Sequence, residues 1–259
     1  MTKESEMAKK NGLSELEAAL EAGSGEGLEE ITTSDLQMPF LRPIQPLSPQ
    51  VKKSDPAYLE EATPGDIINT VTNQLWIGDE GLVVLPVHYQ LKFLEFIPRV
   101  KGGGFVRELS PDSNDVRKAV RDRDSGMEFL ENGNELVRTA QHWVKIVHED
   151  GSLESAIVDM KKTQLKRSRQ WNTLMMMRKR NGVTLASFSH TYRLKTVEES
   201  NDKGSWHSWS IALEGQVPSL EVYVEARELH GSINRGELQL APPAPEAVAD
   251  QILDDDVPF

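Results

Sequence analysis

Residues 82–97 form a long β-type run in which apolar Val83, Leu85, Val87, Tyr89, Leu91 and Phe93 recur at every second position and share one face. Period-two alternation predicts a strand, and Pro86 inside the run predicts a bend or bulge. Residues 136–148 and 153–160 read as two further strands joined at Asp150-Gly151, a hairpin turn signal. Over residues 163–180 the period changes. Leu165, Trp171, Leu174, Met175 and Arg178 fall on one side of a helix that Asn181-Gly182 is expected to end. Strands follow at 187–198 and 205–213 around a loop at 200–204, and Pro218 opens a last helix that reaches residue 229.

The remaining stretches carry weaker patterns. Pro39, Pro43, Pro46 and Pro49 read as an extended lead-in, 55–61 as a short helix and Pro64-Gly65 as a turn. Gly102-Gly103-Gly104 marks a loop but lacks the Lys-Ser/Thr sequel of a nucleotide site, and the charged, turn-rich residues 111–134 read as an exposed insertion. Three strands, a helix and then a hairpin is the element order of an OB-fold. The expected fold is therefore mainly β with helices (α+β), an OB-fold-like five-stranded barrel with the helix between its third and fourth strands. A two-layer α+β sandwich uses the same elements.

Composition narrows the chemistry. The 259 residues include no cysteine, which excludes disulfides, cysteine-ligated zinc or iron–sulfur clusters and a thiol nucleophile. The first 30 residues have no apolar run, so no signal peptide is expected, and no run of 18 apolar residues predicts a membrane span. The expected location is the cytoplasm, that of the host cell if the protein is viral.

The formal charge of −12 argues at first against nucleic acid, but its distribution changes that reading. Residues 1–35 carry a net of −6 and residues 241–259 a net of −5, leaving −1 for residues 36–240. These three stretches are the expected units: a disordered acidic N-terminal segment, one folded binding domain, and a flexible acidic tail behind a proline-rich spacer. Within the folded stretch, Lys161, Lys162, Lys166, Arg167, Arg169, Arg178, Lys179, Arg180, Arg193 and Lys195 fall in a window with no acid. A run of one charge is ordinarily a solvated helix face. Interleaved with Trp171, Phe188 and Tyr192, this one predicts a surface on which cations follow phosphates and rings meet unpaired bases.

Alternation places Trp206 and Trp209 on opposite faces, so at most one of them stacks on bases. Trp206, with Lys203 nearby, and Trp143 complete the candidate DNA-binding set. Trp171 and Tyr192 share sides with apolar neighbours and read as core.

The last six residues, Asp254-Asp255-Asp256-Val257-Pro258-Phe259, resemble the acidic tip of bacterial single-stranded DNA-binding proteins, with valine where those carry isoleucine. The proline restricts the backbone, and the Phe259 ring and terminal carboxylate suit an apolar pocket rimmed by bases. The stretches 65–69, 98–104 and 196–206 resemble the single-stranded DNA-binding proteins of bacteriophages. That resemblance implies sequence-tolerant binding of single-stranded DNA in replication, recombination or repair. It also implies a tail, Asp254 to Phe259, that docks polymerases, helicases, nucleases or RNA polymerase. No cofactor, metal or catalytic residue is expected, and a homodimer is compatible with the sequence.

Two other classes stay open. Asp112, Asp159 and Lys161 loosely match the acid, acid and lysine of metal-dependent nucleases, and the acidic ends suit a transcription or replication adaptor. The six histidines show no paired metal-ligand spacing.

Overall fold

The computed structural model describes residues 16, 18–20, 22–32, 35, 37–123, 125–201 and 204–238. They divide into two units, one up to residue 36 and one from Gln37 onward. In the first unit, Gly23 to Gly27 form turns and Asp35 accepts a hydrogen bond from the Thr32 backbone at 2.9 Å. The expected disorder of 241–259 falls outside the described residues.

The second unit is built on strands. They begin with β1 (Phe40–Pro43), β2 (Ile67–Asn69), β3 (Leu75–Trp76), β4 (Leu82–Phe96) and β5 (Phe105–Leu109). A short helix, α1 (Asn114–Lys118), leads to β6 (Val120–Arg121), β7 (Glu128–Phe129), β8 (Glu135–Val147) and β9 (Leu153–Lys161). Then come α2 (Leu165–Met176), the small hairpin β10 (Lys179–Arg180) and β11 (Val183–Thr184), and the long pair β12 (His190–Asn201) and β13 (Gly204–Gln216). The last element is α3 (Leu220–Asn234).

Eleven strands form one mixed sheet in the order β13-β12-β4-β8-β9-β1-β2-β3, with β5 added to β4 and the β6–β7 pair added to β8. Only β1 and β9 run parallel. This overturns the five-stranded OB barrel. The strands that make the difference are short: β1 has four residues, β2 three and β3 two, too few for an alternation to register. The central strands are instead very long, 15 residues in β4 and 13 in β8. Pro86 does mark a bulge, where the β4–β8 register shifts between Pro86 and His88.

Two helix expectations are corrected. Residues 55–61 form turns, with Asp55 Oδ1 accepting from the Ala57 amide. Further on, α2 stops at Met176, and Asn181-Gly182 closes the β10–β11 hairpin, both residues in the left-handed region at φ 53° and 79°. That pair is the favoured two-residue hairpin turn. At the other end of the chain, α3 runs past His230-Gly231 to Asn234, started by Ser219, whose hydroxyl accepts from the Val222 amide at 3.2 Å.

The main core gathers Leu41, Val84, Val144, Val158, Leu194 and Trp209, and α2 seals it with Trp171. His142 stacks on Trp171 at 4.4 Å and pairs through Nε2 with the Ser168 hydroxyl at 2.8 Å. Burial holds the His142 pKa down to about 3, so the ring is neutral and packs as an aromatic. A second core forms where α3 covers Leu85, Val87 and Phe188 with Ala226, and Lys145 reaches Glu225 at 2.7 Å.

The sheet curls until its two ends meet, a half-barrel bridged by the side chains of Gln45 and Thr196. Gln45, just past β1, donates from Nε2 to His207 O at 2.9 Å and accepts from His207 N at 2.8 Å, serving the edge of β13 as a strand would. Alongside it, Thr196 donates to Gly65 O, and the Thr196 amide donates to Gly78 O at 3.0 Å. A Cβ at Gly78 would lie 2.0 Å from Gly65 O, so only glycine allows this approach. Because Gln45 is buried, removing its amide strands two backbone groups of His207. Gln45→Ala is expected to lower stability by about 2–4 kcal/mol in urea denaturation with an unchanged m-value. A loss below about 0.5 kcal/mol would contradict the bridging role.

Candidate nucleic-acid interface

Three connections crowd one end of the sheet: the β4–β5 loop, the β7–β8 turn and the junction from β9 into α2. A buried carboxylate ties the first two together. Glu95, on β4, accepts from Arg107 Nε of β5 at 2.7 Å, and from Asn132 and Asn134 of the turn at 2.7 and 2.6 Å. Burial opposes the ionised form of Glu95, but the hydrogen bonds from Arg107, Asn132 and Asn134 outweigh it and hold its pKa below the ordinary glutamate value. Arg107 also bonds Asp115 at 2.9 Å, which fixes α1 to the same node.

These connections enclose a groove of about 410 Å³ lined by Phe96, Arg99, Val100, Lys101, Phe129 and Lys162, among others. A second hollow of about 220 Å³ shares Met127, Glu135, Val137 and Lys162 with it and adds Arg121 and Arg138. Together the two hold six bases (Arg99, Lys101, Arg121, Arg138, Lys161, Lys162) and two acids (Glu128, Glu135), a net of +4. One acid is already engaged, since Arg138 Nε donates to Glu128 at 2.8 Å. Phe129 is half-buried on the wall, which leaves part of its ring for a flat ligand. Lys162 sits at φ 45°, a backbone that costs a non-glycine residue free energy and that concentrates at ligand sites.

Of the bases in the acid-free window, only Lys161 and Lys162 line this groove. Lys166 and Arg167, on the first turn of α2, both bind Glu199, at 3.4 and 2.5 Å. Burial raises the Glu199 pKa, but the Arg167 hydrogen bond and the Lys166 charge outweigh it, and the net shift is downward. Arg193 is held bidentately by Glu214 at 2.9 and 2.7 Å, and Glu214 also lies in the field of exposed Lys195. The window is therefore acid-free in sequence but not in space, because β12 and β13 bring glutamates back onto it. Arg169, Lys179 and Arg180 are exposed and in no ion pair among the described residues, while Arg178 is half-buried near His190 and Tyr192.

Both tryptophans expected on the DNA face are interior. Trp143 is 3% exposed because β8 is covered on both faces, and Trp206 is 8% exposed with Nε1 donating to Glu199 at 3.2 Å. Lys203 and the tip Asp254 to Phe259 lie outside the described residues. Neither acid of the nuclease pattern stands ready for a metal. The exposed Asp112 lies 3.6 Å from Arg117, and burial pushes the Asp159 carboxyl up despite Lys161 and Arg42 beside it. Among the described residues no group of three or more His, Asp or Glu side chains is arranged to hold a metal ion.

Sequence reading missed Arg99, Lys101, Arg121, Arg138, Phe96 and Phe129. The first two were visible as bases ahead of a glycine triplet, whereas Arg121 and Arg138 lie among acids in the sequence, and Arg138 stays paired with one of them, Glu128, in the fold.

Since the folded pKa of Glu95 is depressed, its contribution to stability is present above the unfolded value of 4.5 and is lost as pH falls through the folded pKa. Glu95→Gln is expected to cost about 2–4 kcal/mol at pH 7 and to flatten the loss of stability below pH 4.5. A variant as acid-sensitive as the wild type over that range would contradict this.

No helix among the described residues is long and apolar enough to cross a membrane. No curated protein and no solved structure matches the chain. A family model does match, described as Pam3 phage gp34-like protein, over residues 8–239. With nearly the whole sequence covered, the chain belongs to the Pam3 phage gp34-like protein family.

Proposed function

We propose that this phage-family protein binds single-stranded DNA, and that the strand enters the groove between the β4–β5 loop, the β7–β8 turn and the start of α2. The observation that carries the reading is a net of +4 concentrated on an apolar, phenylalanine-bearing groove in a chain whose total charge is −12. Cations in such a groove follow the phosphates, and a half-exposed ring such as Phe129 supplies a face for a base without selecting its identity. Beyond the groove, exposed Arg169 on α2 and Lys179 and Arg180 on the β10–β11 hairpin extend the path for the backbone. A footprint within the span of about 4–16 nucleotides suits this arrangement.

The acidic tip is the second half of the proposal. Asp254, Asp255 and Asp256 speed encounter with basic partners, and Val257, Pro258 and Phe259 fill an apolar pocket on a replication or repair protein. With no DNA present, the same tip competes for the cationic groove.

Titration with fluorescent oligo(dT) at several salt concentrations tests both halves. Submicromolar binding is expected at low salt, with log K falling linearly against log[salt] at a slope near −2 to −4 for about three to six neutralised phosphates. Lys101→Glu with Lys162→Glu should weaken binding by about tenfold or more and reduce that slope. Deleting residues 251–259 should leave affinity equal or higher at low salt while removing capture of the partner. Binding that is micromolar or weaker and indifferent to salt would contradict the function, and weaker binding after tail deletion would contradict the competition.

A further inference from the structure

The β4–β5 loop has a feature that phosphate binding alone does not require. Val100, at its tip, is 94% exposed, more than any other large apolar side chain among the described residues. Exposed apolar side chains are common singly, but this one is held out by an ordered scaffold. Within the loop, the Lys101 amide donates to Pro98 O at 2.8 Å, and the Gly103 amide donates to the same oxygen at 3.2 Å. The Gly102 amide donates to Arg99 O at 2.9 Å, and the Ile97 amide closes the loop by donating to Gly104 O at 2.8 Å. Gly102, Gly103 and Gly104 all lie at positive φ, 107°, 69° and 123°, a sequence of conformations that only glycine adopts without strain. The loop thus cannot fold Val100 inward without losing its own hydrogen bonds.

Position and charge indicate what the tip meets. Val100 forms part of the lip of the 410 Å³ groove, with Arg99 and Lys101 on either side and the Phe96 and Phe129 rings behind. An apolar knob between two cations, projecting from a rigid turn, matches the way architectural DNA-binding proteins insert an aliphatic side chain between bases while neighbouring cations hold the phosphates.

We propose that Val100 is a wedge that enters between two adjacent bases of the bound strand and breaks their stacking at the mouth of the groove. This rests on the reading that the groove takes single-stranded DNA, and it adds a mechanical act to binding. A stacked strand such as a run of adenines would be pried apart as it enters, leaving one base free to lie against Phe129. Thymine runs, which stack little, would need no such work.

The test uses the full chain and an oligonucleotide with one 2-aminopurine set between adenines, whose fluorescence rises when its neighbours unstack. Wild-type protein at saturation is expected to raise the signal by more than about twofold. Val100→Ala should lose most of that rise while lowering affinity for oligo(dT) by no more than about threefold, and Val100→Leu should keep it. Because the side chain is in water, neither substitution disturbs the core.

Equal 2-aminopurine signals from saturated wild-type and Val100→Ala complexes would overturn the wedge while leaving the groove intact. Absence of salt-sensitive oligo(dT) binding by the wild type would instead remove the groove reading on which the wedge rests. Capture of the wild type by phosphatidylserine vesicles, with no 2-aminopurine response on DNA, would assign the tip to a lipid surface and would also overturn the proposal.

Discussion

A carboxylate taken out of water is costly unless donors meet its lone pairs, and Glu95 meets that condition with three side chains, one from β5 and two from the β7–β8 turn. Its cost and its reward come from the same bonds. They fix both β5 and the 130–134 turn to β4, beside the groove that Arg99, Lys101, Glu135 and Lys162 line. The β4–β5 ladder holds the stem of the loop, and the Glu95 node adds the tie to the neighbouring 130–134 turn. The depressed pKa of Glu95 is the electrostatic signature of the arrangement, since the ionised form is the one the loops are built around.

The rest of the fold supplies a stiff frame for that node. At one end of the sheet, Gln45 substitutes for a missing strand by pairing with both backbone groups of His207. At the centre, neutral His142 stacks on Trp171 and fixes α2 across the sheet, so that the helix begins at the groove with Leu165 and delivers the β10–β11 hairpin at its far end. Twelve residues of helix separate the two, about 18 Å. Exposed Arg169, Lys179 and Arg180 lie on that helix and hairpin, while Glu199 pairs with Lys166 and Arg167 and Glu214 with Arg193.

What was legible in the sequence follows from this physics. A long run rich in β-branched and aromatic residues, such as β4, and hairpins with a clear turn, such as β8–β9, announce themselves by composition and punctuation. Strands of two to four residues do not, and β1, β2 and β3 carry the part of the sheet that turns an expected small barrel into an eleven-stranded sheet. Asn181-Gly182 was visible but ambiguous, because the same pair ends helices and closes hairpins. The acid-free window was a true property of the chain and an incomplete guide to the surface. Charges 20 to 40 residues apart, such as Arg167 on α2 and Glu199 on β12 or Arg193 and Glu214 on the β12–β13 hairpin, pair only once the fold brings them together. Trp143 fits its alternation, yet β8 is buried on both faces, and alternation alone does not reveal the second cover.

On the proposed function, the strand lies in the groove beside Glu95 and not along the basic window as a whole. Photocrosslinking with oligonucleotides carrying 5-bromodeoxyuridine, read by peptide mass spectrometry, addresses it directly. The account predicts adducts in residues 96–101, 127–138 and 161–165, and their loss in Lys101→Glu with Lys162→Glu. Adducts confined to residues 176–195, with none on the groove, would contradict it.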